Sequence, residues 1–515
     1  MAGNKFSLFM VASLSALALA GCGADDISSP GTGGNVTINP PATGGGGTTT
    51  PPTGGTVTAA SGCPTIDDPQ GLKDDGTITG PTGSYRVCTL PARINRSIRL
   101  TKISGLLYQM AGRVDVGTDG GFTPTADTNV TLTIDPGVIV FGGTGQSWLA
   151  VNRGNKISAV GTATSPIIFT SRDNVLGLNT ETSQGQWGGV VLMGRGRVTD
   201  CTTGSVAAGT CERQTEGAAD PARFGGANDA DNSGRMSYVQ IRYSGFVLGA
   251  NVELQALTTE GVGSATVLDH IMSYNSSDDG SEHFGGSPNL KYYVSVGADD
   301  DSLDVDTGAQ MNVQFALLVQ RSGAGDALFE IDSNGFETDT PRTKLQVSNF
   351  TAIQAAVTSN NEANDQASAL FRGNSDVTLV NGFIVTPNNE CIRMNGSGTT
   401  PSTLTANSVG LSCNATKFIG TGSYNATQVT GFFNAGSNAR DTFTSTLSGL
   451  FINGSNETGL AAFAVAPLGA FFTAVTYAGA VKDSSDTWYA GWTCNSTAAN
   501  FGTGNSGACT SLPTT

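Results

Sequence analysis

The chain has 515 residues, a net charge of −16 and only 13% charged side chains, with 70 glycines. An acidic balance excludes nucleic acid as a partner class, because phosphate recognition needs clustered Lys and Arg. Few charges, with abundant Gly, Thr, Ser, Asn and Val, predict an all-β fold large enough for a sizeable core.

The chain opens on a leader. Lys5 precedes an apolar run over residues 6–20, which ends in Leu19-Ala20-Gly21-Cys22. A cationic start, a short apolar stretch and small residues at the cut predict a lipoprotein signal over 1–21. Cleavage before Cys22 and acylation of its sulfur (a palmitate-type modification) would anchor the mature chain to a membrane. Gly23, rather than Asp, follows the lipidated residue, which implies sorting to the outer membrane, on its cell-surface or periplasmic face. Residues 22–60 carry Pro40-Pro41, Gly44 to Gly47 and Pro51-Pro52 and have almost nothing to bury. They are expected to be a flexible tether with a coil reach of roughly 30–37 Å.

With Cys22 assigned to the lipid, eight cysteines remain as near neighbours: Cys63 with Cys88, Cys201 with Cys211, Cys391 with Cys413, and Cys494 with Cys509. An exported chain permits disulfides, and proximity suggests this pairing among many possible ones. None has CxxC spacing, so zinc or thioredoxin-like chemistry has little support.

Next comes a repeat. Asp278-Asp279-Gly280 with Glu282-His283-Phe284 aligns with Asp300-Asp301-Ser302 and Asp304-Val305-Asp306, and then with Asp326, Phe329-Glu330-Ile331 and Asp332. Ala369 to Asn374 and Ile392 to Gly396 continue the series. Each copy is followed by a second strand-like run, such as Asn289 to Val296 or Met311 to Val319. Short alternating strands at a period of roughly 20–30 residues, with no helical pattern between them, mean a solenoid, here a parallel β-helix. Earlier runs at 129–140, 158–170, 188–193, 237–243 and 266–274 read as further rungs. The expected organisation is an N-terminal cap over 61–125, the β-helix over 126–425, and C-terminal rungs with a disulfide-closed cap over 426–515. Gly459 to Val481 is uncharged and long enough to cross a bilayer. Pro467, Gly469, Tyr477 and Gly479 within it predict buried strands instead.

Trp187-Gly188-Gly189-Val190, Tyr238 to Tyr243, Asp278-Asp279-Gly280 with Phe284-Gly285-Gly286, and Trp488 to Thr493 resemble segments of large bacterial outer-membrane lipoproteins. Those proteins are similar to right-handed parallel β-helix, pectate-lyase-like proteins. The resemblance spans roughly residues 90 to 495 and implies the fold, without a settled activity. Ser281 and His283 depart from the family pattern, which has apolar residues there, and this puts local core packing in question.

Strand alternation sorts the repeat. Leu303 and Val305 should face the core, as should Phe329 and Ile331, leaving the acids outward. Stacking then places Glu282, Asp304 and Glu330 in one column and Asp306 and Asp332 in the next. The pairs Asp278/Asp279 and Asp300/Asp301 stack at the turn. The columns are expected to continue as Arg372 and Arg393, and as Asn374 and Asn395. Like charges at strand spacing repel, so either some protonate or a cation sits between them. Hard oxygen ligands point to Ca²⁺ held among Asp278, Asp279, Glu282, Asp300, Asp301, Asp304, Asp306, Glu330 and Asp332. The bland alternative is a solvated acidic face.

The two histidines are His270 and His283. His283 aligns with core-facing Val305 and is expected to be buried and hydrogen-bonded. No GxSxG elbow, P-loop or HExxH is present, so histidine-assisted nucleophilic catalysis has no motif behind it. Three readings stay open. One is a surface scaffold that binds an extended polysaccharide or an outer-membrane partner. Another is an enzyme on an acidic glycan. As a lyase it would use Arg372 or Arg393 as base, by resemblance to β-helix lyases; as a glycosidase it would pair carboxylates among Asp304, Asp306 and Glu330. The third is an adhesive or purely structural surface protein.

Overall fold

The computed structural model describes residues 56–514 apart from 144–145, 216–217, 219–221, 250–251, 334–337, 358–366 and 397–399. Cys22, its leader and most of the tether therefore lie outside the described residues. The described chain coils through two parallel sheets, one of 15 and one of 11 strands. Each coil adds one short strand to the smaller sheet, and successive strands such as Leu257–Glu260, Ser281–Phe284, Asp304–Asp306 and Phe329–Ile331 pair in parallel. The inward column of this sheet runs Val116, Val151, Leu192, Thr259, His283, Val305, Ile331, Phe371, Met394. Burying each large apolar member contributes about 1.5–3 kcal/mol.

The larger sheet has two faces. In early coils they are separate strands, Lys156–Val160 and Ile167–Ser171. Both pair with the single strand Gly234–Arg242, the first with residues 234–237 and the second with 239–241. Tyr238, between the two halves, turns the corner at φ 53°. Later coils repeat the device with one left-handed residue each: His270, Tyr292, Phe315, Asn349, Asn381 and Ser408. Left-handed backbone is costly for side chains other than Gly or Asn. The aromatic members offset this by stacking, with ring centroids 4.1 Å apart for Tyr238 and His270, 4.4 Å for His270 and Tyr292, and 4.9 Å for Tyr292 and Phe315.

Three boundaries differ from expectation. Coiling begins before residue 126: Gly83–Thr89 already pairs in parallel with Leu106–Met110, and the end is closed by an antiparallel partner, Lys73–Gly80. Among the described residues no strand of either sheet follows Phe418–Thr421. Instead the helix Ala426–Asn434, with Asn425 and Gln428 forming a capping box, buries Val429 and Phe433 over the open end. The chain then folds back along the corner. Phe463 meets Asn381, Thr473 meets Gln314, Tyr477 meets Asn349, and Trp492 meets Gln240. So 459–481 holds turns and a short 3₁₀ helix rather than buried strands, because the side chains of left-handed Asn349 and Asn381, and of Gln314 and Gln346, already bond its backbone. No helix of the described residues is long and apolar enough to cross a membrane. Four disulfides join Cys63 to Cys88, Cys201 to Cys211, Cys391 to Cys413 and Cys494 to Cys509, the neighbour pairing suggested by spacing.

Candidate functional site

Alternation places the acids on the outer side of the smaller sheet, and the register stacks Glu282 on Asp304 and Asp304 on Glu330. That outer side is nonetheless covered. The excursion closed by Cys201–Cys211 lies on it, and Val198, Cys211 and Phe224 pack on Trp148, Val191, Met193 and Phe284. The acids begin where this apolar platform ends. Asp279, Asp301, Glu282, Asp306 and Asp332 are buried, so the face is not the solvated one that outward alternation suggested.

Burial without enough countercharge decides the electrostatics. Burial first, and neighbouring acids second, push Asp279, Asp301 and Asp304 well above the usual carboxylate range. Asp306 is pushed up to about 8 by burial and then by the charge of Asp332. Two arginines offset part of this. Arg372 pairs with Glu330 at 2.9 Å and with Asp332 at 3.1 Å. Arg213, brought in by the excursion, sits 5.7 Å from the Phe284 ring centre, pairs with Asp200 at 3.0 Å, and its charge opposes the rise at Asp306.

The turn acids have a second task. Asp279 Oδ1 accepts the N–H of Asp301 at 2.9 Å, and Asp301 Oδ1 accepts that of Ala327 at 2.8 Å. Gly280 lets the turn close in, because a Cβ there would meet Ser302 O at 2.7 Å. The carboxylates converge in two groups: Asp278, Asp279 and Asp300, and Asp279, Glu282 and Asp304. Asp279 is common to both. Asp304 Oδ1 is buried and accepts no hydrogen bond. Hard, anionic oxygens in this number fit a Ca²⁺ ion.

Not every expected member joins. Asp301, Asp306, Glu330 and Asp332 fall outside the two groups. Asp301 is spent on backbone, while Glu330 and Asp332 are spent on Arg372. The expected continuation by arginines is also displaced. Leu370, not Arg372, stacks on Glu330, and Arg393 stacks on Leu370. Arg372 follows Phe371, the partner of Ile331, so it stands level with Asp332 and in a different column from Arg393. A two-residue slip keeps every side chain on its face, so alternation alone could not detect it.

His283 is fully buried, as expected. Its Nδ1 lies 2.7 Å from Thr259 Oγ1 and its Nε2 lies 3.2 Å from Ser281 Oγ. Burial pushes it down to about 3, so it stays neutral and takes no part in acid–base work. The polar departures at Ser281 and His283 thus answer each other inside the core. His270 stands in the corner stack, 2.8 Å from Asp269 Oδ1, away from the acids. Two contributors were missed. Arg213 lies in the excursion, with no sequence signal placing it here. Glu260 stacks on Phe284 and accepts from Thr215 Oγ1 at 2.6 Å, and the alternation of Leu257–Glu260 could have found it.

A family model described as a pectate-lyase like beta helix domain matches residues 121–493, well over half of the chain. No curated protein and no solved structure matches it.

Proposed function

The chain belongs to the pectate-lyase-like β-helix family, and from that premise we propose a lipid-anchored outer-membrane protein that holds an extended acidic polysaccharide through Ca²⁺ on its acid column. Cys22 would carry the lipid and residues 22–60 the tether. One observation carries the ligand reading: Asp279 is shared by two groups of three carboxylates whose oxygens lie within 4.8 Å of one another. Asp278, Asp279, Glu282, Asp300 and Asp304 would hold the ion. Bound there, Ca²⁺ supplies positive charge toward the carboxylates of a uronate chain. The protein's own side chains set the remainder. Arg372 neutralises the lower column, and the excursion with Arg213 walls one side.

Binding without turnover is the favoured form of this reading, because the arginines cast as bases do not stand free beside the converging acids. Arg372 is ion-paired twice, and Arg393 is buried three coils from Asp304.

The test is calorimetry of the full-length chain with Ca²⁺, followed by sedimentation with polygalacturonate or alginate in Ca²⁺ and in EDTA. Heat on titration, a raised melting temperature and Ca²⁺-dependent co-sedimentation are expected. No heat and no melting shift would sink the cation reading. Release of unsaturated product absorbing at 235 nm would move the assignment to a lyase.

A further inference from the structure

The larger sheet carries an outward strip on the half that begins at Ile98–Leu100. Ten strands in parallel register build it, the last being Thr403–Cys413. Alternation sorts these strands. Leu132, Ile157, Met236 and Leu268 point into the core. Their neighbours point out: Arg99 stacks beside Thr133, Ser158 beside Arg235, and Arg235 beside Val267. The strip is open, since Thr133, Ser158, Asn289, Asn312 and Thr378 are half-exposed and Val267 is 43% exposed. Along its middle Asn312 donates to Asn289 Oδ1 at 2.9 Å and Gln346 donates to Asn312 Oδ1 at 3.1 Å. These bonds tie the amides to one another along the surface and leave it flat. At strand spacing the strip is roughly 40 Å long.

This strip is cationic in a chain of net charge −16. Arg99, Lys156, Arg235, Lys291 and Lys344 occupy outward positions on it, and Arg342 stands at its border. Three carboxylates answer these six cations: Asp135 pairs with Arg99 at 2.7 Å, Asp269 with Arg235 at 3.2 Å and Asp376 with Arg342 at 3.0 Å. The Arg99 and Arg235 side chains remain 66% and 50% exposed in their pairs. Exposed pairs of this kind hold weakly, so both guanidiniums stay available to another anion. Lys156 and Lys344 join no salt bridge among the described residues. Lys291, beside Asp269 in register, donates to the carbonyl of Phe471 at 2.9 Å and to Thr473 Oγ1 at 3.1 Å.

The partner that fits is flat, extended and anionic. A single small anion needs cations that converge, whereas Lys156 and Lys344 lie five strands apart, roughly 24 Å at strand spacing. A surface of this shape suits a plane of charges. The start of the described chain says which plane. Val57 N donates to Thr82 O at 3.0 Å and Ala60 N to Gly105 O at 3.0 Å, so the tether leaves the solenoid at its first coil, the coil that carries Arg99. A lipid on Cys22 would therefore bring this end of the strip to the bilayer. We propose that the strip docks the solenoid on its side against the phosphate headgroups of the membrane that holds the anchor. The proposal rests on the lipid reading of Cys22 for the presence of that membrane. It does not rest on the acid column, which lies on the smaller sheet.

The experiment is vesicle flotation in EDTA of the chain without its leader, residues 22–515, carrying Cys22→Ser so that no acyl chain contributes. The vesicles are phosphatidylcholine alone or phosphatidylcholine mixed with phosphatidylglycerol. The chain should float with the mixed vesicles and not with the neutral ones, and added salt should release it, because screening cuts exposed charges off within about 10 Å at 0.1 M. Lys156→Glu with Lys344→Glu breaks no ion pair and should lower binding by roughly tenfold or more, with the melting temperature unchanged. Lys73→Glu with Lys417→Glu makes the same change of charge on other strands and should bind like the parent. Absence of flotation with the mixed vesicles, or equal loss in the two double variants, would overturn the proposal. So would tighter binding of polygalacturonate than of vesicles in EDTA, if Lys156→Glu with Lys344→Glu removed it, since the strip would then serve a polymer. EDTA removes Ca²⁺ from every arm, so failure here leaves the Ca²⁺ reading standing, and the reverse also holds.

Discussion

Asp301 donates its backbone N–H to Asp279 Oδ1 at 2.9 Å, so the residue shared by both carboxylate groups also pins one coil of the solenoid to the next. Structure and ligand binding can be separated there. Asparagine keeps an acceptor at Oδ1 but loses the charge. Asp279→Asn should leave the melting temperature near that of the parent without Ca²⁺ and remove most Ca²⁺ affinity. Asp301→Ala should do the converse, costing about 1–3 kcal/mol by stranding the Ala327 N–H while leaving Ca²⁺ binding largely intact. Calorimetry and denaturant unfolding of both variants read the two effects.

The pH dependence follows from the same burial. Asp306 titrates at about 8 in the fold against an ordinary 3.8, so the folded chain holds protons that the unfolded chain has released. Stability from this group is full below pH 3.8 and is lost as pH rises through about 8. His283 runs the other way. Its folded value near 3, against 6.5, makes its contribution complete above pH 6.5 and lost as pH falls toward 3. Between pH 6.5 and 8 only the carboxyl effect remains. In EDTA the melting temperature should fall across that window, and Ca²⁺ should reverse the fall. A flat profile in EDTA would mean that the acids are already compensated.

Much of this was legible beforehand because period-two alternation and a coil-length repeat are strong local signals. They gave the parallel solenoid, the stacking of Glu282, Asp304 and Glu330, and the buried His283. What was not legible depended on distant chain. The countercharge that reaches Asp306, Arg213, comes from an excursion some 90 residues upstream. The slip at Leu370 preserves facing and so left no trace in the pattern. The corner at Tyr238 was hidden because two strands fuse through one left-handed residue, which reads as continuous alternation. The returning C-terminal segment, apolar but tied by side-chain bonds to its backbone, read as strands for want of those partners.

That segment should detach before the solenoid unfolds. Asn381 grips Phe463 in both directions, with Nδ2 to its carbonyl at 3.0 Å and Oδ1 from its N–H at 2.7 Å, while holding φ at 53°. Asn381→Ala loses both bonds and places Ala in a conformation that Asn tolerates better. A loss of about 2–4 kcal/mol is expected. Limited proteolysis should cut within 459–481 earlier than in the parent, while the circular-dichroism signal of the sheets persists. Simultaneous loss of both would show that the segment and coils unfold as one unit.

At the far end of the segment, Arg242 is fully buried and touches no carboxylate among its hydrogen-bond partners. It donates to Gln240 Oε1 at 2.7 Å, to the carbonyls of Cys509 at 3.0 Å and Ser511 at 2.9 Å, and to Ser506 Oγ at 3.1 Å. Burial pulls it down to about 10, which still leaves it charged at neutral pH. A buried charge held by dipoles alone is expensive to keep and more expensive to leave partly bonded. Lysine cannot span four acceptors from one nitrogen. Arg242→Lys should therefore destabilise more than Arg242→Met, which removes the charge along with the bonds. Both should speed reduction of Cys494–Cys509 by dithiothreitol, because the loop that the disulfide closes is docked by this guanidinium. Equal unfolding free energies for the two variants would show that the charge itself contributes nothing, and an unchanged reduction rate would show that the loop is held elsewhere.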